Sequence, residues 1–328
     1  MASLTQRESG RWQVRVRRAD GRHVSRTFER KMDAEGWARK MESEIERGVW
    51  RDASEAERTT VEECLDRYIK EYVPRASDPK NEGWHVRVIG REKSLAKLTM
   101  ARVRGVDVAA VRDKWLKKDG LAPATVVRRL MVISRVFNVA RTDWGMEALV
   151  NPVKSVSLPR VDNARDRRVS DDEIAAVCAD GCALGGELAA IVRLAVETAM
   201  RRGELVGLRW ERIDLARQTA HLPKTKNGYP RTVPLSSRAV AVLRALPRMI
   251  DGRVFCSCRG SVSQAFQRGV RAAGLKNLRF HDLRHEATSR LADVLQAHEL
   301  AKVTGHRDMR MVLRYYHPRA EELAKKLG

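Results

Sequence analysis

Two matching helix-opening signals constrain this chain more than any other feature. Thr60-Val-Glu-Glu63 and Ser170-Asp-Asp-Glu173 each set a hydroxyl before a helical pattern and a carboxylate three residues on. In that spacing the hydroxyl accepts from the N–H of the residue three positions on, while that residue's carboxylate accepts from the hydroxyl residue's own N–H, so two orphan donors are satisfied together. Apolar residues behind the first signal keep helical spacing to about Tyr72, and further helices are expected near Gly83–Lys97, Val108–Lys118 and Pro123–Ala140. Behind the second, helical patterns run over Leu188–Thr198, Ser237–Leu246, Val262–Ala272 and Asp282–Val294. The reading is a mainly α multidomain chain.

Two places depart from helix. Trp12–Val16 and His23–Phe28 alternate apolar with polar residues around the turn pair Asp20-Gly21, which predicts a hairpin. A helix from about Asp33 to Gly48 follows, giving a small α+β module. The second is Thr225-Lys-Asn-Gly228, where Asn-Gly favours a type I′ loop between strands Thr219–Leu222 and Arg231–Leu235, a small β hairpin insertion. The stretch Leu149–Pro159 holds two prolines and little periodicity, so it reads as linker. The domain boundaries expected are 1–56, 57–150, a linker over 151–168, and 169–328. A last short helix is expected over Pro318–Leu327.

Charge narrows the partner. The 328 residues carry 64 Lys+Arg against 42 Asp+Glu, a net charge of +22, which attracts a polyanion and makes binding depend strongly on salt. The excess is spread as +3 over residues 1–58, +8 over 59–160 and +11 over the remainder. That distribution suits a chain that wraps its target better than one with a basic tail. The start has no apolar stretch for secretion, and no 18 consecutive apolar residues occur to span a membrane, so a cytosolic protein without a membrane partner is expected. Five scattered cysteines read as free thiols, and Cys256-Ser-Cys258 has no second pair to complete a metal site. No metal and no cofactor are expected.

The last third carries the chemistry. Arg201 lies in Glu197-Thr-Ala-Met-Arg201, Lys226 in the hairpin turn, and His281 and Arg284 in His281-Asp-Leu-Arg-His285. Thr304-Gly-His306 is followed nine positions on by Tyr315-Tyr-His317. Each residue alone has a plainer reading: a solvated helix end for Arg201, one face of an ordinary helix for His281 and Arg284, a core position for either tyrosine. Their conjunction, in this order and spacing, is what those readings fail to explain.

The set resembles the tyrosine recombinase (phage integrase) family, whose pattern is Arg, Lys, His-x-x-Arg, His, Tyr. The resemblance extends over the chain and is specific in residues 165–320. It implies the tyrosine recombinase fold: an arm-type DNA-binding module, a helical core-binding domain, and a mainly α catalytic domain. It implies that Arg201 and Arg284 grip the phosphate, which suits planar, permanently charged forks facing the extra negative charge of phosphoryl transfer. Tyr315 would be the nucleophile, forming a covalent 3′-phosphotyrosyl bond whose stored energy makes ATP unnecessary. Lys226 would protonate the leaving 5′ oxygen, and His281 and His306 would bond the phosphate or handle the tyrosine proton. Glu204 would orient Arg201 or a neighbouring helix, and His317 matches the family's Tyr-x-His ending. Ala199 and Thr304 stand where glycine and leucine are usual; one is an added methyl group, the other some lost apolar burial.

DNA contacts are expected from Arg11, Arg15, Arg17, Arg22 and Arg26 on the first hairpin and from Arg128, Arg129 and Arg135 on the bundle. The partners implied are double-stranded attachment sites, a homotetramer on DNA, and a host DNA-bending protein or excisionase. The favoured role is integration or excision of a prophage or genomic island. A shufflon-type invertase is the alternative, since Glu197–Arg201, His221–Gly228 and Phe280–Glu286 look similar to shufflon-specific recombinases. A type IB topoisomerase, which needs no second DNA address, and a non-cleaving regulator fit less well.

Overall fold

A computed structural model describes residues 2–17, 23–48, 50–162, 165, 167–179, 184, 186–223, 225 and 228–316. The chain forms two compact units, Met1–Asn163 and Ala164–Gly328.

The first unit begins with an antiparallel sheet of three strands, β1 (Ala2–Gln6), β2 (Trp12–Arg17) and β3 (His23–Phe28), in that order. β1 was not expected, because Ala2 and Leu4 are its only apolar residues, too few for the alternation to stand out. Val14 and Val16 of β2 bury against Ala34 and Ala38 of helix α1 (Lys31–Glu46), with Leu4, Phe28 and Trp37 around them. The register sorts the side chains by face: Leu4, Val14 and Arg26 share one row, while Ser3, Arg15 and Ser25 share the next. Alternation therefore leaves Arg15 and Arg17 on the open face and puts Arg26 on the helix side, exposed at the edge with its guanidinium over Phe28.

A helical bundle follows: α2 (Ser54–Arg58), α3 (Val61–Glu71), α4 (Pro79–Gly90), α5 (Lys93–Ala96), α6 (Gly105–Asp113) and α7 (Pro123–Thr142). The capping box at Thr60 forms, with Glu63 Oε2 2.7 Å from the Thr60 N–H. The helix expected over Gly83–Lys97 is instead two, because buried Glu92 turns inward to accept from Trp115 Nε1 at 2.8 Å and Lys114 Nζ at 2.7 Å. Val153 and Val156 are buried in the bundle core, so the first residues of the expected linker belong to the bundle. Their apolar side chains lack helical spacing since Pro152–Ser155 is a short 3₁₀ turn.

The second unit comprises α8 (Asp171–Val177), α9 (Glu187–Thr198), α10 (Arg202–Val206), α11 (Ser237–Arg244), α12 (Arg259–Ala272), α13 (Phe280–Ala292), α14 (Ala297–Thr304) and α15 (Met309–Leu313). Strands β4 (Ile213–Asp214), β5 (Thr219–Leu222) and β6 (Arg231–Pro234) form an antiparallel sheet in that order. The Ser170 capping box opens α8. Ile191, Val192, Ala195, Leu205, Phe255, Phe266 and Leu283 are at the centre of the core, which packs α9 against α13. The two hairpin strands pair as expected, and Gly228 N–H bonds Thr225 O at 3.0 Å; Lys226 and Asn227, where the type I′ loop was expected, lie outside the described residues. Pro318–Leu327 lies outside the described residues.

Candidate active site

Each candidate side chain is set by the end of an element. Helix α9 stops at Ala199, whose left-handed φ of 51° turns the chain so that Arg201 precedes α10. Glu204, on α10, is buried; its Oε2 accepts from the Arg201 N–H at 2.8 Å and its Oε1 from the Arg201 guanidinium at 3.1 Å. Arg231, at the start of β6, closes on the same carboxylate bidentately at 2.9 and 2.7 Å and donates from Nε to Val303 O at 3.0 Å. Burial opposes the charge of Glu204, yet the Arg231 guanidinium and then the Arg201 N–H hold its pKa below the usual carboxylate value.

Arg284 is 4% exposed on α13 and donates to Ala199 O and, at 2.6 Å, to Thr304 O. One guanidinium thus ties together the turn before Arg201 and the turn before His306. Burial first, and then the charge of Arg201, push Arg284 down to about 9, so it is still cationic at neutral pH. Three arginines against one carboxylate leave a net positive pocket, which is what a phosphodiester requires.

Two of the histidines lie within reach of the charges of Arg284 and Arg201. Helix α14 ends at Gly305, whose φ of 72° releases the chain toward His306. Thr304 is fully buried; its hydroxyl donates to Leu300 O at 2.6 Å and therefore accepts from His306 Nδ1 at 2.7 Å. The threonine that seemed only to lose apolar burial thus fixes the histidine tautomer. Burial pushes His306 down to about 4, with Arg284 and Arg201 adding to it. His281 is an exposed residue, yet the protein packed around its ring, with His285 and Arg284, pushes it down to about 4 as well. Tyr315, two residues past α15, has its hydroxyl 2.6 Å from His285 Nδ1 and its ring 6.5 Å from that of His306, nearly parallel at 28°. Tyr316 turns away and donates to Leu295 O.

The structure therefore brings together Arg201, Glu204, His281, Arg284, His306 and Tyr315. Lys226, His317 and Arg22 lie outside the described residues. Sequence reasoning missed His285 and Arg231. The first had a signal, since it stands four residues after His281 on the same helical face. Arg231 had none, because its partners Glu204 and Val303 are distant in sequence. Of the DNA-contact candidates, Arg15, Arg17 and Arg128 are exposed, Arg11 faces Glu29 at 3.7 Å and Arg135 pairs with Glu82 at 2.8 Å. Arg129 is 6% exposed, with its guanidinium over the rings of Trp84 and Trp115. The expectation of a DNA contact there is corrected: the Arg129 side chain is buried against Trp115 and the half-exposed Trp84 instead of standing free at the surface.

Residues 168–322 match the model described as phage integrase family, and residues 3–47 match phage integrase, N-terminal domain. A shufflon-specific DNA recombinase of Escherichia coli is 38% identical over 272 residues, spanning 80% of this chain and 70% of the relative. The chain belongs to the phage integrase (tyrosine recombinase) family. A putative integrase/recombinase of Haemophilus influenzae is 31% identical over 337 residues, covering 97% of this recombinase and 88% of that protein. A lambda integrase tetramer bound to a Holliday junction shares the fold, with a TM-score of 0.62 at 19% identity over 93% of this chain and 95% of the other. As a tyrosine recombinase, the protein cuts and rejoins DNA site-specifically. Among the described residues, no helix is long and apolar enough to cross a membrane.

Proposed function

We propose that this recombinase is an integrase that inserts or excises a mobile DNA element, with Tyr315 as nucleophile. The observation that carries the reading is the seat of Tyr315, its hydroxyl on His285 and its ring beside His306, next to the buried Arg284. Arg201 and Arg284 grip the non-bridging oxygens of the scissile phosphate. Tyr315 attacks phosphorus and forms a 3′-phosphotyrosyl bond, while Lys226 protonates the departing 5′ oxygen. The 5′ hydroxyl of a second strand reverses these steps, so no ATP is consumed. Fixed guanidinium charge does the work that a metal would do at such a phosphate, and activity is expected to survive EDTA. Four protomers act on two DNA sites, as suggested by the lambda integrase tetramer on its junction. A host DNA-bending protein or an excisionase sets direction.

The open sheet face bearing Arg15 and Arg17, in a segment that matches an integrase N-terminal domain, favours a second DNA address and hence integration. Inversion is the second reading, favoured by the 38% identity to the shufflon recombinase. A nicked suicide duplex tests the chemistry: covalent capture lost in Tyr315→Phe and retained in Tyr316→Phe supports the assignment, and nucleotide mapped to Tyr316 overturns it. A plasmid with the element's sites in direct or inverted orientation separates excision from inversion.

A further inference from the structure

We propose that His285 is the base that receives the Tyr315 proton, a catalytic role that rests on Tyr315 being the nucleophile. A phenol attacks phosphorus efficiently only as its proton leaves, and a proton leaves along a hydrogen bond already in place. Two imidazoles, His285 and His306, face Tyr315, with His281 behind His285, and their geometry separates them. His285 Nδ1 lies 2.6 Å from the phenol oxygen, with the two rings 27° from parallel. His306 commits Nδ1 to Thr304, and its ring centre is 6.5 Å from that of Tyr315. His281 meets His285 edge-to-face at 5.0 Å, one helical turn back on α13.

The surroundings of His285 suit a transient imidazolium. Arg284 adjoins it in sequence and would repel the arriving proton. Against this, Asp282 on the same helix is 1% exposed and kept ionised by Arg165, which grips it at 2.9 and 2.7 Å, and by the Arg279 N–H at 2.8 Å. Asp282 stands three residues before His285 on the same helical face, so its negative charge offsets the repulsion from Arg284. The balance is complete: the Tyr315 O–H bond breaks as the O–P bond forms, the proton goes to His285 Nδ1, and the P–O5′ bond breaks with a proton delivered to the leaving oxygen by Lys226. Religation returns both protons.

The test uses the full chain and a nicked suicide duplex. In His285→Asn the amide oxygen can still accept from the phenol but is not basic. Covalent capture is expected to slow by about a hundredfold or more, the usual scale for a lost general base, with DNA affinity and melting temperature unchanged. A bridging 5′-sulfur leaving group, which needs no general acid, should rescue Lys226→Ala and not His285→Asn. A more acidic fluorotyrosine at position 315 should narrow the gap between His285→Asn and wild type, and this comparison serves equally with His285→Gln if the asparagine variant melts early. Capture by His285→Asn at close to the wild-type rate, rescue by the 5′-sulfur, or indifference to the fluorotyrosine would each overturn the role of His285. A wild-type protein that forms no bond at Tyr315 would instead sink the nucleophile assignment itself.

Discussion

At the scale of single residues, the site depends on two carboxylate and backbone arrangements that have measurable consequences. The Arg231 side chain is 8% exposed and shares Glu204 with Arg201 while bonding the carbonyl just before Thr304. Arg231→Met should therefore reduce cleavage without removing any group that touches DNA. It should also destabilise the fold by about 3 kcal/mol, the cost of stripping one partner from a buried ion pair. Urea denaturation and suicide-substrate capture, run together, check both; an unchanged capture rate would disconnect Arg231 from the site. Ala199 offers the opposite sign. An L-residue at φ 51° is strained, so Ala199→Gly should stabilise by up to about 1 kcal/mol, less the entropy that glycine adds to the unfolded chain. A drop in the denaturation midpoint would refute the strain.

The same residues set the pH response. His281 and His306 both sit at about 4, below the ordinary histidine value of 6.5, so each is neutral in the DNA-free fold. A depressed folded-state pKa contributes stability that is present above the unfolded value and is lost as pH falls through the folded one. Melting temperature should then decline from pH 6.5 toward 4. A bound phosphate favours the imidazolium forms, so a core-site duplex should bind with proton uptake and protect more as the pH falls through this range. Calorimetry in buffers of different ionisation enthalpy would detect the uptake, and its absence would separate these histidines from the phosphate.

At the scale of elements, helix α13 is held from the entry segment of its own unit. Asp282 takes Arg165, while Glu286, 3% exposed, takes Arg168 at 2.7 and 3.1 Å, the Val169 N–H at 3.1 Å and Arg290 at 2.8 Å. Glu286 is held at about 2, because Arg168 and Arg290 outweigh its burial. Removal of one arginine should therefore matter unequally. Arg165→Ala leaves Asp282 with the Arg279 N–H and no ion-pair partner among the described residues, whereas Arg168→Ala leaves Glu286 with Arg290. The first should destabilise by about 3 kcal/mol and the second by about 1; equal losses in urea would contradict this ordering. The elements also show what sequence could convey. Capping boxes at Thr60 and Ser170 are local codes and were readable, as were the apolar stripes of α7, α9 and α13. Glu92 breaking a helix to reach Trp115, Arg129 turning inward, and Thr304 fixing His306 each depend on partners brought close only by the fold. The candidate set was legible because its motifs are short; the bonds that orient it were not, because they cross between motifs.

At the scale of the whole molecule, a net charge of +22 says how strongly DNA is attracted but not which cations touch it. The salt dependence of binding can say, because each phosphate neutralised on a duplex adds about 0.9 to the slope of log K against log salt. Arg15 and Arg17 lie on the open face of the first sheet, in register with Ser25 and His23. If that face meets phosphates, Arg15→Ala with Arg17→Ala should reduce the slope by about 2 while leaving melting unchanged. Arg129 carries the same formal charge but is 6% exposed, with its guanidinium over the rings of Trp84 and Trp115. Arg129→Leu should leave the slope alone and lower the melting temperature, since what it loses is cation–π packing inside the bundle. Titration of the full-length chain against one duplex over a range of potassium concentrations compares all three proteins. A slope that falls for Arg129→Leu, or stays constant for the double variant, would reverse the assignment of these arginines to surface and core.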